Sequence, residues 1–155
     1  MRFLAMCSLF LLLLLPGGSV GQAKTYERIT DSFNSVKTIS VIKDDETEKF
    51  NEDSNEFKNI IKTLKEITEY SHDMPAFGVS IDNLTREEMK VGLWLELEFE
   101  NTCYFNEMPF DALLIKVEKD AYGFNLIRRH DGEYEGRCFY LSLNESMNKL
   151  YNIFA

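Results

Sequence analysis

Cysteine, proline, tryptophan and histidine are all scarce in this 155-residue chain, with three, three, one and two copies. So few cysteines exclude a disulfide-dense scaffold, so a hydrophobic core must do most of the stabilising. The two histidines, His72 and His130, are each followed by Asp but have no metal-ligand spacing, and they read as solvated loop residues. The strings of a nucleophile elbow, a zinc-protease helix, a phosphate loop and a dinucleotide-binding turn are all missing. A basic excess is missing too, since 17 Lys and Arg face 26 Asp and Glu. That balance opposes binding to nucleic acid, whose phosphates demand a basic surface, and adsorption to anionic lipid. No motif names a reaction, a metal or a cofactor.

One long apolar run is present, Phe3 to Leu15, preceded by Arg2 and broken by Pro16 and two glycines. It is short of the ~20 apolar residues of a membrane span, and it has the charged start, apolar middle and small-residue end of a secretory signal peptide. Ser19 and Gly21 occupy the small positions before a cleavage that leaves Gln22 first, so residues 1–21 read as the signal. Cleavage after Ala23 and an uncleaved anchor are the alternatives. A lipoprotein reading fails, because Cys7 precedes the apolar core. The remainder, 22–155, has the length of one domain, with 22–35 as a loose lead-in. Two cysteines remain in it, Cys103 and Cys138. A bridge between them would stabilise by roughly 4 kcal/mol in the chain-entropy model. Two buried free thiols are the other reading.

The expected fold is α+β. Val36 to Val41 is β-branched and reads as a strand, and the acidic run from Asp44 to Asp53 reads as a connection. Asp53 with Glu56 has the spacing of a capping box. Phe57, Ile60, Ile61, Leu64 and Ile67 then fall on one face of a long amphipathic helix, which Pro75 stops by about His72. Phe77–Ile81 is a candidate strand. From Val91 to Phe99 every second residue is apolar, and Leu113, Ile115 and Val117 repeat the pattern. Asp131-Gly132 sits between two further strands and signals a two-residue hairpin. Met147, Leu150, Tyr151 and Phe154 suit a short C-terminal helix. The sum is an antiparallel meander of four to six strands with the helix packed on one face.

Candidate sites are weaker. The stretch Arg128 to Leu143 is rich in charge, but the hairpin separates His130 from Cys138 by ~16 Å and puts them on opposite faces, so no nucleophilic pair forms there. Arg128 opposite Glu135 reads as an ordinary surface ion pair, and Glu96, Glu98 and Glu100 as the wet side of a sheet. Trp94, Tyr134 and Tyr140 share the face that alternation would leave wet, beside Leu114, Ile127 and Cys138. They form either a covered second core or an aromatic platform for a peptide or glycan. Asn83 and Asn144 begin glycosylation sequons. The leading functional expectation is a secreted, acidic, non-enzymatic binding domain with a protein, peptide or glycan partner and no metal or cofactor. An inhibitor of an extracellular enzyme, presenting a loop over Phe99–Asp111, is one alternative. A hydrolase with residues gathered from loops is the other.

Overall fold

The structure is a computed structural model that describes residues 23–74 and 87–155, with the backbone alone for 135–137. The expected strand over 77–81 and the sequon at Asn83 lie outside those residues. The described chain is predominantly β. Its strands are β1 (Lys24–Tyr26), β2 (Val36–Lys43), β3 (Glu46–Asn51), β4 (His72–Met74), β5 (Leu93–Phe105), β6 (Met108–Lys116), β7 (Gly123–His130) and β8 (Glu133–Ser142). They form one sheet in the order β3-β2-β5-β6-β7-β8-β4, with β1 added parallel to the far half of β5. The antiparallel run β5-β6-β7-β8 is a meander of three hairpins, the middle one with the longer connection 117–122. Asn106-Glu107 and Asp131-Gly132 turn two of these with positive φ at both residues, the geometry that matches strand twist.

The α+β expectation is therefore overturned. The helix α1 (Asn55–Thr68) is only 14 residues, and the sheet has eight strands among the described residues in place of four to six. The additional strands come from segments with no apolar alternation. The acidic connection is in fact β3, joined to β2 by Asp44-Asp45, both with positive φ. Residues 24–35 are not a loose lead-in either. They hold β1 and a 3-10 helix, Ile29–Ser35, that sinks Ile29 and Phe33 into the core. Ser54, not Asp53, caps α1, its hydroxyl accepting from the Phe57 amide at 3.1 Å. The helix ends at Thr68, and 72–74 have already turned into β4.

One face of the sheet carries the main core. Leu93, Leu95, Leu97, Phe99, Leu113, Ile115, Phe124, Leu126, Phe139 and Leu141 point to it, and Ile60, Leu64 and Ile67 of α1 close it. Met147 and Leu150, around the short helix Asn148–Tyr151, complete its edge. We call this the inner face and its reverse the outer face.

Candidate functional site

The outer face is where sequence alternation would place water, and it is only partly wet. Trp94, Leu114, Ile127 and Cys138 form a second buried cluster there, with Ile42, Met89 and Tyr134 packed around it. Trp94 is 2% exposed. Its indole N–H donates to the Glu88 and Val91 carbonyls at 3.2 and 3.3 Å, so the turn preceding β5 folds over the ring and satisfies its one polar atom. Lys116 Nζ lies 5.7 Å from the ring centroid on its remaining side. The open aromatic platform does not form at Trp94. Trp94 and Tyr140 do line a common cleft of about 400 Å³, with the Tyr140 phenol lying over Gly123, where a Cβ would collide with it. Tyr134 stands apart from that cleft, under a carboxylate.

That carboxylate belongs to the most polar part of the face. Arg129 on β7 reaches Glu96 at 2.8 Å, Glu98 at 3.3 Å and Asp111 at 3.0 Å, one guanidinium nitrogen for each acid. Glu98 also accepts from Lys49 of β3 at 2.6 Å, and Tyr134 donates its phenol proton to Glu96 at 2.5 Å. Asp111 caps the hairpin turn as well, accepting from the Asp131 amide at 3.0 Å. These side chains come together because Glu96 and Glu98 alternate with Leu95 and Leu97 on β5. Neighbouring strands then bring Asp111, Arg129 and Tyr134 to the same level.

Burial opposes the Arg129 charge, but the Asp111 bond and the nearby Glu96 and Glu98 hold the guanidinium above its ordinary value. Burial pushes the Glu98 carboxyl up, and the Lys49 and Arg129 contacts outweigh it and leave it below its ordinary value. Burial first, then the bond to Glu96, pushes the Tyr134 phenol above its ordinary value. The stripe of Glu96, Glu98 and Glu100 is thus not uniformly wet, and only Glu100 is exposed. Beside it is a depression of about 510 Å³ lined by Lys37, Thr38, Glu52, Glu98, Phe99, Glu100, Asp111 and Arg129.

Among the other expected sites, Cys103 and Cys138 are buried thiols that form no disulfide. They cannot bridge, since Cys103 belongs to the inner core and Cys138 to the outer cluster. Cys103 lies near Tyr26, and burial raises its thiol pKa, which disfavours the nucleophilic thiolate. Cys138 pairs with Ile127 and directs its thiol to the Asn125 amide oxygen at 3.4 Å.

The turn pairings His130–Glu133 and Arg129–Tyr134 are as the hairpin implies. Beyond them a bulge shifts the register between Ile127 and Arg129. Arg128 is not at the surface, and the side chain of its expected partner Glu135 lies outside the described residues. Arg128 is 2% exposed on the inner side, donating to the Pro109 carbonyl at 2.5 Å. The period-two row Phe124, Leu126, Arg128 was the signal that could have placed it there.

His130 Nε2 is 3.5 Å from Asp131, and its enclosed Nδ1 has no partner among the described residues. His72 is exposed on the edge strand β4, and Asn144 is exposed after β8. The expected inhibitory loop over Phe99–Asp111 is instead the far half of β5, a two-residue turn and the start of β6. Among the described residues, no group of three or more His, Cys, Asp or Glu side chains could hold a metal ion, and no helix is long and apolar enough to cross a membrane.

No family model, no curated protein and no solved structure matches the chain.

Proposed function

We propose that this is an exported, non-enzymatic binding domain whose acidic outer face receives a basic protein or peptide. One observation carries the reading. Four carboxylates, Glu52, Glu98, Glu100 and Asp111, line the depression on that face against two cations, Lys37 and Arg129, and Glu96 and Lys49 adjoin it through their bonds to Arg129 and Glu98. Arg129 and Lys49 hold Glu96, Glu98 and Asp111 in place, so those acids lose little side-chain entropy when a cation arrives. Glu52, which Lys37 contacts at 3.0 Å, and Glu100 are exposed at the rim and contribute long-range attraction. The whole-chain acidity adds to this steering. Export rests on the Phe3–Leu15 run and the small residues after it.

The test uses the rim, because Glu96 and Glu98 also support the fold. Immobilised protein and its Glu52→Lys/Glu100→Lys variant are offered the extracellular fraction of the source at about 50 mM and about 500 mM salt. A basic protein held by the wild type at low salt, released at high salt and absent from the variant is the expected result. Equal retention by both proteins, or retention insensitive to salt, overturns the reading.

A further inference from the structure

β3 ends the sheet, and among the described residues no strand lies on its outer side. Its register with β2 fixes which backbone groups are unused. A two-residue turn at Asp44-Asp45 makes Lys43 and Glu46 a hydrogen-bonded pair, and such pairs then alternate along an antiparallel ladder. Glu46, Glu48 and Phe50 accordingly spend their N–H and C=O groups on β2. Thr47, Lys49 and Asn51 turn theirs away from the sheet. The Asn51 carbonyl is taken by Ser54, which leaves Thr47 and Lys49 as the open template.

The side chains beside that template alternate in character. Glu48 pairs with Val41, an inner-core residue, so Glu46 and Glu48 stand on the inner side of the edge. There they border a groove of about 790 Å³ with Asp44, Val41, Ile153 and Phe154. Its only lysine, Lys43, donates to the Phe154 carbonyl at 2.7 Å.

Two-fold antiparallel pairing of β3 with a second copy would set Glu48 against Glu48, or Lys49 against Lys49, or Glu46 against Glu48. Each is a like-charge contact that opposes the pairing. A strand with cations at alternate positions has the complementary pattern.

We propose that the outer edge of β3 takes an extended, basic segment of a partner protein as an added strand. Thr47 and Lys49 supply the main-chain bonds, and every second side chain of the segment is a Lys or Arg that enters the inner groove between Glu46 and Glu48. Apolar parts of those long side chains lie on Val41 and Phe154 while their charged ends reach the carboxylates. This surface is distinct from the outer-face depression and stands or falls separately from it.

The probe is a labelled nonapeptide of alternating Lys and Thr, with a control of equal charge in which proline replaces every Thr and abolishes strand pairing. Binding to the full-length protein is read by anisotropy, and the Thr47 and Lys49 amides are followed by hydrogen exchange. The expected result is binding of the Lys-Thr peptide at least tenfold tighter than its proline control, with both amides becoming protected. Glu46→Lys/Glu48→Lys should abolish binding. Thr47→Pro, which changes no charge and removes an outward N–H, should weaken it at least tenfold, while Glu52→Lys/Glu100→Lys on the other face should leave it within twofold. Equal binding of the two peptides, an unchanged affinity in Thr47→Pro, or self-pairing of β3 seen as a dimer whose Thr47 and Lys49 amides are protected without peptide would each overturn the proposal.

Discussion

The two faces of the sheet are built from the same strands and hold themselves together in opposite ways. On the inner face, side chains such as Leu95, Leu97, Leu113 and Leu126 are fully buried, and α1 excludes water. On the outer face, a small apolar cluster around Trp94 passes within two strand positions into a charged knot around Arg129. The first kind of packing is indifferent to pH and salt. The second is ordered by directional bonds, and its strength depends on how far each charge remains in water. A surface that must be rigid yet carry charge for a partner calls for the second kind. Four predictions sharpen this contrast.

The largest effect belongs to the inner face. Leu95→Asp buries a carboxylate among Leu97, Leu113 and Ile115, two residues along the sheet from the row that holds Arg128, whose guanidinium already donates to the Pro109 carbonyl, and it should cost several kcal/mol. A cooperative urea transition with a midpoint close to the wild type's would show that the inner face is not the core.

Next comes the apolar part of the outer face. Trp94→Ala should cost about 3–5 kcal/mol, as for other buried tryptophans, because the ring is covered by its own preceding turn. Trp94 is the only tryptophan, so wild-type emission is assigned without ambiguity. Blue-shifted emission resistant to iodide is expected. Red-shifted, readily quenched emission would reopen the platform.

How much of this was legible follows from which residues repeat. The phase of β5, β6, β7 and β8 was readable because one side of each strand is in the core, so apolar and polar residues alternate. β1, β3 and β4 lacked that signal. β3 is exposed along most of both sides, and its sequence Glu46-Thr47-Glu48-Lys49-Phe50-Asn51 resembles an acidic loop until β2 is placed beside it. The fold class was misjudged for that reason, as edge strands were counted as connections. The Arg129 knot was missed for a different one. Glu96, Glu98, Asp111 and Arg129 are on three strands, and a glutamate in an alternating strand has the same sequence signature whether its partner is water or an arginine. Asp131-Gly132, by contrast, needed only local backbone chemistry and was placed correctly.

The charged part of the outer face gives an intermediate effect. Reading the glutamate stripe as wet predicts that Glu96→Lys is nearly silent, and the structure reverses this. Glu96 accepts from both Arg129 and Tyr134, and a lysine there would face the guanidinium and strand the phenol. A cost of about 2 kcal/mol is expected, less than for a fully buried pair because both side chains retain some exposure. Glu100→Lys, four residues along the same strand face, should stay within about 0.5 kcal/mol. Similar urea midpoints for these two variants would mean that the knot contributes no more than an exposed charge.

The smallest effect is electrostatic and has a definite sign. Burial raises the Glu98 carboxyl, but the bond from Lys49, its charge and the Arg129 contact bring the folded value below the unfolded one. Over the ordinary carboxylate range the unfolded chain therefore binds more protons than the folded chain. Stability from this group is present above the unfolded pKa and is lost as pH falls through the folded value. Glu98→Gln removes that contribution, because an amide does not titrate. The variant should be less stable than the wild type at about pH 7, and the gap should close as pH falls toward about 3. Glu98 keeps a quarter of its side chain in water, so the gap should be below about 1 kcal/mol and shrink further in salt. Urea midpoints of the two proteins measured across that range give the test. A gap that widens toward acid would mean that burial, not Lys49 and Arg129, governs Glu98, and the charged half of the contrast between the faces would fail with it.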